Sequence, residues 1–217
     1  MAFSFNRMAR FAIIIALSGA VAACAPPTAS KRDPFATPSR ADYVRLASVS
    51  NSMVEVDSAG RTVRAAAPDG LCISSDSIQT FRESVFMVID GCRGARSPLA
   101  GVVSVNITNG PLSLDLASME AHFRSPSGVA SLGYGGDPED IALIEVERTG
   151  DAVFATVLDE SEFGPAFAGD EICRAFMELN GRMVVVTMTS RRQEPKTPEE
   201  MRADMEAVVA ALREANA

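Results

Sequence analysis

The stretch ICRAFMELNGRMVVVTMT, residues 172–189, decides the fold. Asn180-Gly181 stands between two β-rich runs, 172–179 and 182–189. Asn-Gly is the strongest short hairpin signal, because a type I′ turn needs positive φ at both central residues. A second hairpin precedes it: runs 141–148 and 152–158 flank Thr149-Gly150-Asp151. Two hairpins in succession force antiparallel pairing, and the sheet they build needs helices to cover it.

Beyond the hairpins, residues 191–196 are a polar loop. Thr197-Pro198-Glu199-Glu200 is then a capping box with proline at the first helical position. The helix it opens places Met201, Met205, Val208, Val209 and Leu212 on one face and ends near Ala215. Upstream, Leu116, Met119 and Phe123 recur at helical spacing within 114–124. Ser125-Pro126 caps a second, short helix that ends before Gly133. Residues 134–140 are a loop. The runs SVFMVID (84–90) and GVVSVNIT (101–108) are strands by alternation or apolar content. Leu71-Cys72-Ile73 is a short apolar segment, 74–79 is turn-like, and 62–66 is a strand broken at Pro68-Asp69-Gly70. Residues 41–60 are weakly patterned, with a short helix or an irregular lead-in expected around Tyr43, Val44 and Leu46. The order predicts an α+β domain with a central antiparallel sheet of six or seven strands covered by helices.

The chain has 217 residues, 47% of them apolar and 22% charged, enough for one ordinary domain with a core. Acidic residues outnumber basic ones by 28 to 20. That balance argues against nucleic acid as a partner, since phosphate binding needs a basic face.

The N-terminus reads as an address. Arg7 and Arg10 precede the apolar run FAIIIALSGAV (11–21), which has signal-peptide length and is too short to span a ~30 Å hydrocarbon core as a helix. Val21-Ala22-Ala23-Cys24 follows. This arrangement resembles the lipobox of bacterial lipoproteins. The resemblance implies cleavage before Cys24, diacylglycerol on its thiol, and anchoring in a lipid bilayer through Cys24 acyl chains. Ala25 after the cysteine resembles outer-membrane rather than inner-membrane sorting. Residues 1–23 are thus the signal peptide. Residues 24–40, with Pro26, Pro27, Pro34 and Pro38, are a tether, and 41–217 are one periplasm-facing globular domain. At ~3.3 Å per residue the tether reaches ~50 Å when extended.

Cys72, Cys92 and Cys173 remain in an oxidising compartment, where a disulfide is expected. Three pairings exist. Cys72 with Cys92 closes the shortest loop and is the expected pair, worth ~3 kcal/mol in the chain-entropy model. Cys173 is then a free thiol, either a small core residue inside its strand or a reactive group; the core reading is expected. No Cys-x-x-Cys occurs, and neither a metal site nor a cofactor is expected. His122 reads as a surface or boundary residue of its helix. The acidic clusters at 137–140 and 159–162 lack EF-hand spacing and read as solvated loops. Gly133-Tyr134-Gly135-Gly136 reads as a turn. Arg191, Arg192 and Lys196 make a small basic spot able to meet lipid phosphates.

Two wider resemblances follow. The run from Leu179 to Thr187, feeding a loop and a final amphipathic helix, resembles the end of PsbP-like α/β/α sandwich domains. That implies an assembly or stabilising role. Asp69-Gly70-Leu71-Cys72-Ile73, Gly91-Cys92, Ser125-Pro126-x-Gly128-x-x-x-Leu132 and Asn180-Gly181-Arg182 together resemble a family of small uncharacterised bacterial lipoproteins. One His and no G-x-S-x-G or H-E-x-x-H motif favour a non-catalytic binding, assembly or scaffold module with a possible envelope protein partner. The alternative is an enzyme acting on an envelope substrate: peptidoglycan, lipid or glycan.

Overall fold

The computed structural model describes residues 43–93, 97–99, 101–135 and 138–217. The expected signal peptide, Cys24, the expected tether, Gly136 and Asp137 lie outside them. Eleven strands and three helices follow one another in the described chain. They are β1 (Val44–Val49), β2 (Met53–Ser58), β3 (Arg61–Ala66), β4 (Leu71–Ile73), β5 (Gln79–Thr80), β6 (Ser84–Gly91), β7 (Gly101–Thr108), α1 (Leu116–Phe123), α2 (Pro126–Ala130), β8 (Ile141–Thr149), β9 (Ala152–Asp159), β10 (Ala168–Leu179), β11 (Arg182–Arg191) and α3 (Pro198–Glu214).

The main sheet is antiparallel, with the order β4-β6-β7-β11-β10-β9-β8 and β5 also paired to β6. It has eight strands, not the six or seven expected, because β4 and β5 share β6 as partner. The Asn180-Gly181 turn has φ of +50° and +73°, as the type I′ hairpin requires. The register then pairs Leu179 with Arg182 and Ile172 with Thr189.

A second, three-stranded sheet, β1-β2-β3, corrects the reading of residues 41–60. Val54 and Val56 of β2 are buried, but five of the six residues of β1 are exposed. Strand patterning in sequence comes from one buried face. An edge strand open on both faces has none to show.

The larger core lies between one face of the main sheet and a layer made of α3 and the small sheet. Met87, Val105, Val186 and Ala175 come from the main sheet, Val54, Val56 and Val63 from the small one, and Met201, Met205 and Leu212 from α3. The Thr197 cap forms as read: its hydroxyl accepts from the Glu200 N–H, and the Glu200 carboxylate accepts from the Thr197 N–H. A second core forms on the opposite face, where α1 and α2 pack against β8 and β9. Phe123 of α1 meets Phe176 of β10 with ring centroids 4.7 Å apart. β9 passes between both cores and is buried along nearly its whole length. Among the described residues, no helix is long and apolar enough to cross a membrane.

Candidate functional site

The helices α1 and α2 cover only the β8-β9 end of their face of the main sheet. On the rest, strand alternation points a set of half-buried side chains outward from β6, β7 and β11. The register lines them up in rows. One row runs Val88, Ser104, Thr187, Arg174, each directly opposite the next. The adjacent row runs Phe86, Asn106, Val185, Phe176. Phe176 belongs to the core under α1, so Arg174 stands where the covered half of the face meets the open half.

Arg174 is the unusual member. Its Nε is buried without a hydrogen-bond partner, and among the described residues its guanidinium makes no ion pair. Burial draws it below the usual arginine range, against the fields of Tyr134 and Asp159, which favour its charge. Asn106 Oδ1, on the next row, is likewise buried and unpartnered. Buried polar groups are rarely left unmatched, because each costs ~1–3 kcal/mol and a charge costs more.

The surroundings of Arg174 are built by the loop that follows α2. Gly133 leaves no room for a Cβ, which would meet Ile141 and the Asp159 carboxylate. That close approach lets the Tyr134 N–H donate to Asp159. Tyr134 then reaches across to β11, where its hydroxyl lies 2.7 Å from that of Thr189. Burial pushes the Tyr134 phenol up, with the Thr189 contact opposing. Asp159 is itself buried, which corrects the reading of 159–162 as a wholly solvated loop. Burial disfavours its charge, but hydrogen bonds from Ser161 and from the Tyr134 N–H, with the Arg174 field, hold its carboxyl below the usual range.

At the far end of the same face, Asp90, Leu99, Phe167 and Arg191 line a cleft of about 490 Å³. The basic spot is there, but its charges are engaged. Arg191 pairs with Asp90, Arg192 Nε donates to the Ala168 carbonyl at 3.0 Å, and Lys196 lies 3.9 Å from Glu200.

Cys72 and Cys92 lie at disulfide distance, their Cα atoms 4.8 Å apart, joining β4 to the end of β6. Cys173 is buried in the larger core, facing away from Arg174's side of the sheet. Burial pushes its thiol up, with the Thr156 contact opposing. His122 is exposed on α1 beside Phe123, at 5.7 Å between rings. None of these meets Arg174's row. Among the described residues, no group of three or more His, Cys, Asp or Glu side chains is placed to hold a metal ion.

This chain finds no match among family models, curated proteins or solved structures.

The sequence reading passes over Arg174, although a signal is present. Arg174 lies two residues from both Ile172 and Phe176, so strand alternation sets a guanidinium on an otherwise apolar face.

Proposed function

We propose that this protein is a lipid-anchored envelope lipoprotein whose globular domain is a non-catalytic binding or assembly module, with the open half of the main sheet as its working surface. The carrying observation is that face. Its side chains are half-buried and mix apolar groups with hydroxyls, beside a guanidinium whose Nε has no hydrogen-bond partner. Antiparallel sheets commonly leave one face to solvent, and the unpartnered Nε of Arg174 among apolar and hydroxyl side chains is what suits this face to a partner or ligand. The settings of the other reactive groups support the same reading: the Cys173 thiol is buried and Arg191 is engaged by Asp90. The lipobox-like Cys24 and the tether would hold the domain clear of the lipid headgroups. The resemblance of residues 179–187 and the final helix to the end of PsbP-like domains would fit an assembly role.

The test is site-specific photocrosslinking in native membranes, from position 88 on the open face and from position 203 on the exposed side of α3. Discrete adducts from position 88 alone are expected. Equal adducts from both positions, or none from position 88, would overturn the assignment of the open face.

A further inference from the structure

We propose that Arg174, with the Thr187 and Ser104 hydroxyls beside it, receives the head of an amphipathic monocarboxylate lying on the open half of the sheet. The inference rests on the binding-module reading and names its ligand class.

Three observations carry it. First, Arg174 is half-buried, and its Nε is buried without a hydrogen-bond partner. A guanidinium offers a planar fork of donors that matches a carboxylate in two-point contact. An incoming anion therefore satisfies what the fold leaves open. Second, the register places two hydroxyls in line with it, Thr187 directly opposite Arg174 and Ser104 opposite Thr187. Hydroxyls donate to an oxyanion without adding charge. Third, the row continues to Val88, while Val185 and Phe86 lie in the row alongside. At ~4.8 Å between strands, the distance from Arg174 to Val88 is ~14 Å. A medium-chain monocarboxylate fits within that span, its head toward Arg174 and its tail toward Val88, Val185 and Phe86.

Charge chooses carboxylate over phosphate. The row holds a single positive group, and Asp159 already projects a negative field onto it. With Asp159 counted, a monoanion leaves less excess negative charge there than a dianion does. A phosphate monoester dianion would be left with excess charge beside a carboxylate in a partly desolvated place. Asn106 Oδ1, unpartnered on the adjacent row, suits a hydroxyl or amide donor on the body of the ligand.

The experiment uses the full chain in lipid nanodiscs with a clickable diazirine fatty acid as photoprobe, and labelled sites are mapped by peptide mass spectrometry. Octanoate, octanol and octyl phosphate compete in separate arms. Labelling is expected on the β7 and β11 peptides. Octanoate should displace it at least tenfold more effectively than either of the others. Arg174→Gln should weaken octanoate competition about tenfold or more, as loss of a charge-assisted pair does, and Arg174→Lys should retain part of it. Should Arg174→Gln melt far below wild type, Thr187→Tyr serves instead: it fills the row from the half-exposed side and should abolish labelling with melting unchanged.

Equal competition by octanol would mean an apolar surface only, and better competition by octyl phosphate would mean a phosphate site. Either overturns the proposal, as does unchanged competition in Arg174→Gln. Absent labelling combined with adducts from position 88 sinks the carboxylate and leaves the binding face standing. Absence of both sinks the two together.

Discussion

Arg191 Nη2 donates to both carboxylate oxygens of Asp90, at 2.9 and 3.0 Å, across the intervening strand β7. The contact clasps the ends of β6 and β11 at the cleft, beside the Cys72–Cys92 link. Burial works against the Asp90 charge, but Ser97, the Gly91 N–H and Arg191 hold its carboxyl below the usual range.

The clasp makes stability pH-dependent in a defined direction. A carboxyl depressed by folding stabilises the fold fully above its unfolded value, about pH 4, and the contribution is lost as pH falls through the folded value. Both side chains are about one-third exposed, at 33% and 36%, so the pair is worth under ~1 kcal/mol. Asp90→Asn should therefore unfold at lower urea than wild type near pH 7, and the gap should close well below pH 4. A gap that persists in acid would show that the substitution acts through packing rather than charge.

Anchoring is tested at Cys24. Metabolic labelling with an alkynyl fatty acid should mark the wild type and leave Cys24→Ala unmarked, with its signal segment uncleaved. Labelling of the variant at the wild-type level would remove the lipoprotein assignment.

Thiol accessibility follows from burial. Non-reducing peptide mapping should join the segments holding Cys72 and Cys92. Cys173, buried and with its thiol pushed up, should be alkylated only after unfolding. Rapid reaction in the native protein would show a reactive thiol.

Leu212 closes the larger core from α3 and is fully buried. Leu212→Ala should cost ~2–5 kcal/mol, as buried leucine truncations do, measured by urea denaturation of residues 41–217. A loss below ~1 kcal/mol, the range of surface changes, would place the helix outside the core.

Legibility in the sequence followed locality. The Asn180-Gly181 hairpin, the Thr197–Glu200 capping box and the apolar face of α3 each arise from residues within one turn or one period of each other. Their physics, positive φ, cap hydrogen bonds and helical spacing, is complete within the segment. The main sheet's antiparallel character was therefore readable from its two hairpins.

Where information was spread along the chain, the reading stopped short. Strand β1 is an exposed edge whose identity comes from its partner β2, with Val44 opposite Ser58. The eighth strand of the main sheet exists because β4 and β5 both return to β6.

By itself, then, the sequence determined the hairpins, the caps and the helix faces, because each depends on near neighbours. Only the tertiary structure decided that Arg174 stands at the edge of an open face. Its row joins Val88, Ser104 and Thr187 from three other strands, and the cover beside it comes from α1 and the Tyr134 loop. A side chain's burial and its unpartnered donor are properties of what distant segments bring to it, and no local pattern of residues carries them.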